Sequence, residues 1–232
     1  MLSVLDLWAG YDGRDVLRGV SLQVAAGEAV ALLGRNGCGR STLAKALVGQ
    51  VAARGSVRLN GQPLLGLPGH RVARAGLGYV PESRELFADL SVEHNLLLGL
   101  PPGQHRAAQP RLQAVYDAFG VLQRRRHTPA GVLSGGEQQV LALCRTLMGE
   151  PAFLLIDEPA EGLAPAWLAQ VGALLAERKR RGVGLLLIEQ RLTVGSLLAD
   201  RCLVLGRGAL VWQGTPQQLA ADAAVQQEWL AL

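Results

Sequence analysis

The sequence predicts an α/β fold on a mainly parallel core sheet, with an antiparallel β part early in the chain and a helical insert in its middle. Three observations carry this expectation. Two short unbroken apolar runs, "AFLLIDE" (152–158) and "GLLLIEQ" (184–190), have the character of strands buried on both faces. Between them "PAWLAQVGALLAERKRRG" has helical spacing, which makes a strand, helix, strand crossover of the right-handed kind. Finally, "EAVALL", a glycine-rich turn and "LAKALVG" read as strand, loop and helix over residues 28–49.

The elements follow in order. "SVLDLWAGY", "GVSLQV" and "EAVALLG" are short apolar or alternating stretches bounded by Gly and Asp, as strands joined by tight turns are, and "GSVRLNG" repeats the pattern as an exposed hairpin element. From residue 83 to 148 apolar residues recur at three and four, the helical period, broken by the loop "PPGQHRAAQP" at 101–110. Ser134 and Glu137 have capping-box spacing, and Val140, Leu143, Cys144 and Leu147 form the buried stripe of a helix that stops at Gly149 before Pro151. "RCLVLGRGALVWQG" reads as a hairpin turning at Gly206–Gly208, and Thr215, Pro216 and Gln218 open a further helix.

Composition limits what such a chain can be. With 232 residues, 49% hydrophobic and 18% charged, it is long enough for one globular domain with subdomains, 1–232, the helical part covering about 83–148. No apolar run reaches the ~18–20 residues of a membrane span, and "MLSVLDLW" lacks the pattern of a secretory leader, so a cytosolic location is expected. Cys38, Cys144 and Cys202 have no paired spacing and imply neither a disulfide framework nor a zinc site. The net charge is +4, yet the basic runs Arg124–Arg126 and Arg178–Arg181 lack interleaved aromatics, so solvated faces are expected and no nucleic-acid partner. Lys45 and Lys179 are the only lysines, so positive charge here is almost all arginine.

Three stretches carry chemistry. In Gly34-Arg35-Asn36-Gly37-Cys38-Gly39-Arg40-Ser41-Thr42 the glycines allow consecutive N–H groups to turn inward as an anion nest, and the helix that follows adds its dipole. Ser41 is the candidate magnesium ligand, while Arg40 stands where a phosphate loop ordinarily has lysine. At the end of "AFLLIDE", Asp157 is placed to orient magnesium and Glu158 to polarise an attacking water. In "LSGGEQQ", Ser134, Gly135, Gly136 and Glu137 expose amides at a helix N-terminus, a second phosphate half-site far along the chain. Two half-sites on one chain suggest two chains sharing nucleotide.

Taken together, the phosphate loop, the acidic strand end and "LSGGE" resemble the ATP-binding subunits of ABC transporters, in order and spacing over essentially the whole chain. The resemblance implies a P-loop nucleoside triphosphatase fold of the ABC type and ATP hydrolysis with Mg2+. It further implies that ATP is clamped between the phosphate loop of one subunit and the "LSGGE" of another. Tyr11 resembles the aromatic that stacks on adenine, Trp8 or a core role for the tyrosine being the alternatives. "GYVPE" resembles the loop linking ATP to the membrane subunits, with Glu82 in place of glutamine as a candidate metal-side group. "LLLIEQ" resembles the switch strand, with Gln190 in place of histidine as a candidate catalytic residue beside Glu158 and Arg40.

"VPESRELFADLSVEHNL", "DEPAEGLAP" and "IEQ" look like the second ATPase subunit of branched-chain amino acid importers, whose close relatives energise urea uptake. That likeness implies two transmembrane permease subunits, a second related ATP-binding subunit in a homo- or heterodimer, and, indirectly, a periplasmic or extracytoplasmic solute-binding protein. Residues 83–100 are the candidate contact with the permeases. The expected location is the cytoplasmic face of the inner membrane. A nucleotide-binding regulatory half of an asymmetric ATPase pair is the alternative that Arg40, Glu82 and Gln190 leave open.

Overall fold

A computed structural model describes residues 1–104, 106 and 108–230. In chain order the elements are β1 (Leu2–Tyr11), β2 (Arg14–Val24), β3 (Ala29–Leu33), α1 (Arg40–Leu47), β4 (Ala53–Leu59), β5 (Gln62–Pro63), α2 (Gly69–Arg74) and β6 (Leu77–Val80). There follow α3 (Val92–Leu97), α4 (Ala108–Ala118), α5 (Gly120–Arg124), α6 (Gly135–Leu147), β7 (Phe153–Asp157), α7 (Pro165–Arg180), β8 (Gly184–Glu189) and α8 (Val194–Leu198). The last are β9 (Arg201–Gly206), β10 (Ala209–Gly214), α9 (Pro216–Ala221) and α10 (Ala223–Trp229).

Two sheets organise these elements. One is antiparallel, in the order β2-β1-β4-β5; the other runs β10-β9-β3-β8-β7-β6 and is parallel except for β10 at its edge. Every residue of β3, β7 and β8 is buried, which is why those strands read as continuous apolar runs and not as alternating ones. Leu32, Leu155, Leu186 and Ile188 face α1 and the antiparallel sheet, while Leu154, Ile156, Leu185 and Leu187 face α6 and α7. The β9–β10 hairpin turns through Arg207 and Gly208, both at positive φ, as a two-residue turn of this twist requires.

The expected capping box of α6 is present, with Ser134 accepting from the Glu137 amide and Glu137 from the Ser134 amide. That of α9 is formed by Thr215 and Gln218. Three local expectations are corrected. Residues 83–91 are turns, not helix; Arg84 and Glu85 both sit at positive φ, and helix resumes at Val92 behind the Ser91 cap. The loop at 101–110 ends early, because α4 begins at Ala108 and tolerates Pro110 in its first turn, where no helical N–H bond is lost. His105 and Ala107 of that stretch lie outside the described residues. The basic runs are not merely solvated: Arg125 pairs with Glu137 at 3.0 Å, Lys179 with Asp200 at 2.6 Å, and Arg181 with Glu177.

Candidate functional site

The carboxyl ends of β3, β8 and β7 lie side by side, with Leu33 registered against Glu189 and Asp157 against Ile188. From β3 the chain turns through residues 34–39 before α1 begins at Arg40. Gly34 is required by close approach, since a Cβ there would stand 2.5 Å from the Leu205 carbonyl oxygen and 2.6 Å from Cys38 Sγ. Gly39 is required by its φ of 111° and by Leu17, whose Cδ2 would lie 2.9 Å from an added Cβ. Gly39 offers α1 no side-chain cap, and no acid occupies the first turn, so the opening amides of α1 are left for an anion.

Arg40 is buried and turned across this loop. One Nη donates to Asn36 Oδ1 at 3.1 Å; the other lies 3.0 Å from Glu158 Oε1 as an ion pair but is not aligned for a hydrogen bond. Glu158 adopts φ 50°, its amide donates to the Ile188 carbonyl at 2.8 Å, and its carboxylate receives the Gln190 amide. Burial pushes the Glu158 carboxyl up, more than the Arg40 guanidinium and the Gln190 amide draw it down.

A cavity of about 790 Å³ is lined by Asn36, Gly37, Arg40, Glu158 and Gln190, with Ser41 and Glu82 at the boundary of a second cavity of about 440 Å³. Asp157 and Lys45 line the second. Asp157 is buried, and burial together with the nearby Glu82 and Glu158 charges raises its carboxyl to about 6, against a smaller opposing pull from Arg40 and the Ser41 hydroxyl. A carboxylate in that condition is short of positive charge. Serine hydroxyl and carboxylate oxygens are the donor set of a hard divalent cation, so Ser41, Asp157 and Glu82 fit Mg2+. Among the described residues no group of three or more His, Cys, Asp or Glu side chains could hold a metal ion.

Other expected residues are placed differently. The Arg35 side chain leaves the loop and donates to the Gln227 carbonyl of α10 at 2.8 Å. Cys38 points beneath the loop; its thiol is buried and raised by desolvation, so it offers no surface thiol for a nucleotide to shield. Thr42, largely buried in α1, is placed as expected and lines the first cavity beside Ser41. Tyr11 is exposed at the end of β1, which excludes a core role, while Trp8 lies under the Arg54 guanidinium, 4.8 Å from its ring centroid. Ser134, Gly135, Gly136 and Glu137 line neither cavity, so one chain does not bring its two expected half-sites together.

Several supports of the site are invisible at the level of sequence motifs. Arg125 holds Glu137 from α5's end; Gln139 donates to the Glu158 carbonyl at 3.4 Å; Arg84 reaches Gln138 and Gln139. Glu189 is almost fully buried and accepts from the Thr193, Val194 and Gly195 amides and the Thr193 hydroxyl, which anchors the chain just beyond Gln190. Its only sequence trace is an acid at the end of an apolar strand.

Residues 17–161 match the family described as "ABC transporter". The chain is 39% identical over 231 residues to "High-affinity branched-chain amino acid transport ATP-binding protein BraG" of Pseudomonas aeruginosa, covering 99% of each. It is 33% identical to "Lipopolysaccharide export system ATP-binding protein LptB" of Acidithiobacillus ferridurans, covering 99% of this chain and 96% of that one. Among solved structures, "Structure of ATP binding subunit of ABC transporter" superposes with a TM-score of 0.84 at 29% identity, covering 99% of this chain and 95% of that chain. The ADP conformation of the ATP-binding cassette MJ1267 has the same fold, with a TM-score of 0.83 at 23% identity over 98% and 97% of the two chains. With the loop, the acidic strand end and "LSGGE" all present on that fold, the chain belongs to the ABC transporter family, as an ATP-binding subunit of the kind that hydrolyses ATP.

Proposed function

We propose that this subunit hydrolyses ATP to drive import of branched-chain amino acids through partner transmembrane subunits. The observation that carries the catalytic part is the convergence of Arg40, Ser41, Glu82, Glu158 and Gln190 on one cavity beside loop 34–39. The solute rests on the likeness to the branched-chain amino acid relative. The lipopolysaccharide export relatives favour a second reading, in which the same engine serves a different permease pair.

In this mechanism the amides of loop 34–39 and of the start of α1 hold the phosphates, and Arg40 exchanges its Glu158 partner for a phosphate oxygen. Glu158, freed from that pair and held by the Gln190 backbone N–H, accepts a proton from the attacking water, which leaves the Gln190 side chain free to act. Gln190 has an amide that hydrogen-bonds the water or the terminal phosphate but does not titrate. Asp157, Ser41 and Glu82 hold Mg2+, which when bound neutralises charge developing on the phosphates. Tyr11, exposed at the end of β1, supplies a ring for the base. Ser134, Gly135, Gly136 and Glu137 present their amides to nucleotide held by a second ATP-binding subunit, alike or related.

No helix among the described residues is long and apolar enough to cross a membrane, so transport falls to partners. A groove of about 660 Å³ between α2, β6 and α3 carries exposed Phe87 and Leu98 beside Leu100 and Pro101, and is the surface assigned here to a permease. The subunit thus lies against the cytoplasmic face of the membrane, and a solute-binding protein acts through the permeases. Reconstitution tests the whole reading: hydrolysis rises with a branched-chain importer's permease pair and binding protein on addition of leucine. Stimulation only by a lipopolysaccharide-export pair overturns the solute assignment.

A further inference from the structure

A separate cavity of about 220 Å³ lies between α4, α6 and α7, and it shares no lining residue with the two cavities beside the phosphate loop. Much of its wall is apolar: Ala114 and Val115 come from α4, Leu147 from α6 and Leu174 from α7. Its charges are unbalanced. Arg111, Arg178 and Arg181 border it, and Glu150 is the one carboxylate among the lining residues.

Two of the three guanidiniums are already engaged. Arg111 donates to the Met148 carbonyl at 2.6 Å and pairs with Glu150, while Arg181, largely exposed, pairs with Glu177 one turn earlier. Arg178 differs from both. Among the described residues it has no carboxylate at ion-pair distance, and its Nε is shut off from solvent without a hydrogen-bond partner. The Cys144 thiol in the same wall supplies no anion either, since burial raises it to about 12. A charged donor stranded in this way costs more than an ordinary hydrogen bond returns.

These features together select a ligand. A guanidinium takes a carboxylate by two parallel N–H···O bonds, and the aliphatic wall suits a hydrocarbon tail. Water is a poorer occupant, because it needs two to four polar partners of both kinds and the arginines offer donors alone. An amino acid fits less well too: its ammonium would face guanidinium, and Glu150 is already held by Arg111. A cavity of about 150 Å³ takes benzene, so this one has room for about six to nine non-hydrogen atoms.

We propose that the cavity between α4, α6 and α7 is a binding site for a short-chain aliphatic monocarboxylate, anchored by Arg178 with its tail against Ala114 and Val115. It is a second ligand site on the subunit, and it does not depend on the nucleotide reading.

Calorimetric titration of the full chain with hexanoate tests it, with hexanol, inorganic phosphate and leucine as competitors. Hexanoate should bind once per chain and raise the melting temperature as its concentration rises. Hexanol has the tail without the charge, phosphate the charge without the tail, and leucine adds an ammonium; each should displace hexanoate at least tenfold less well than hexanoate displaces itself. Arg178→Met removes the fork and leaves an unbranched apolar side chain, so hexanoate affinity should fall at least tenfold. That variant should melt no lower than the parent, because a stranded donor has gone. Ala114→Leu places bulk at the mouth from an exposed position on α4 without harming the helix, and it should weaken hexanoate as much. Both variants should bind an ATP analogue as the parent does, within twofold.

Absence of saturable hexanoate binding overturns the site, as does parental affinity in Arg178→Met. If melting curves show that Arg178→Met fails to fold, parental affinity in Ala114→Leu overturns it instead. Displacement by phosphate or leucine as strong as by hexanoate overturns the ligand class, and displacement as strong by hexanol overturns Arg178 as anchor. A parent that binds hexanoate but no ATP analogue overturns the nucleotide reading alone.

Discussion

Arg40 Nη1 stands 3.0 Å from Glu158 Oε1, so the cation of the phosphate loop and the carboxylate proposed as general base are each other's counter-ion. Nucleotide therefore has to win Arg40 from Glu158. The Glu158→Gln variant should bind ATP as tightly as the parent or a few-fold more tightly, while phosphate release falls by about 10²–10⁴. Arg40→Ala removes the phosphate contact and strands a half-buried carboxylate, so ATP affinity should fall by about tenfold or more. Nucleotide titration and phosphate release on the same preparations check both; equal turnover in Glu158→Gln would remove it from the chemistry.

Asp157 is a buried carboxylate beside two others, Glu82 and Glu158. Its carboxyl stands at about 6 in the folded chain against 3.8 in the unfolded one, so the folded state holds the extra proton. The stability this contributes is fully present below about pH 4 and is lost as pH rises through 6, a change of about 3 kcal/mol. Asp157→Asn should therefore raise the nucleotide-free melting temperature by roughly 6–12 °C at pH 8 and by almost nothing at pH 4. Its Mg2+-dependent turnover should fall at least a hundredfold. Thermal scans at the two pH values, with rate measurements, decide this.

Arg35 works from outside the cavity. Its contact to the Gln227 carbonyl ties the loop to α10, where Trp229 packs over Gly206 and under the Arg207 guanidinium, 5.5 Å from its ring centroid. Arg35→Ala should weaken ATP binding about threefold with little change in turnover at saturation, and Arg35→Lys should recover most of the loss. Trp229→Ala should act through the same contact, so the double variant is no worse than Trp229→Ala alone. Michaelis constants for the parent and the four variants provide the check.

Phe87 is exposed at the groove and lines neither cavity of the site. Phe87→Asp should leave hydrolysis by the isolated subunit within twofold of the parent and abolish stimulation by the permease pair. A desolvated aspartate against an apolar partner costs several kcal/mol, enough for a loss of a hundredfold or more in binding. Coupled ATPase assays in vesicles measure it.

Legibility in the sequence followed the range of the interactions. The strand ends carrying Asp157 and Gln190 were visible because a fully buried parallel strand must be apolar throughout. The α6 start was visible because a capping box spans only three residues. Arg84, Gln139 and Arg125 were invisible, since their partners lie many residues away and any polar residue there reads as surface. Residues 83–91 were misread as helix because Leu86 and Leu90 keep helical spacing, whereas two successive positive-φ residues and the Asn95 contacts to Phe87 and Leu90 fix a turn.

The position of β8 has one more consequence. Hydrogen-bonded to β3 on one side and β7 on the other, it locks the edge bearing loop 34–39, Gln190 and Asp157 into a gauge of fixed span. That edge cannot close around a shorter ligand without breaking ladder bonds. On the proposed reading, a diphosphate held by loop 34–39 should be one phosphate short of Glu158 and Gln190, at an edge whose spacing the ladder holds fixed.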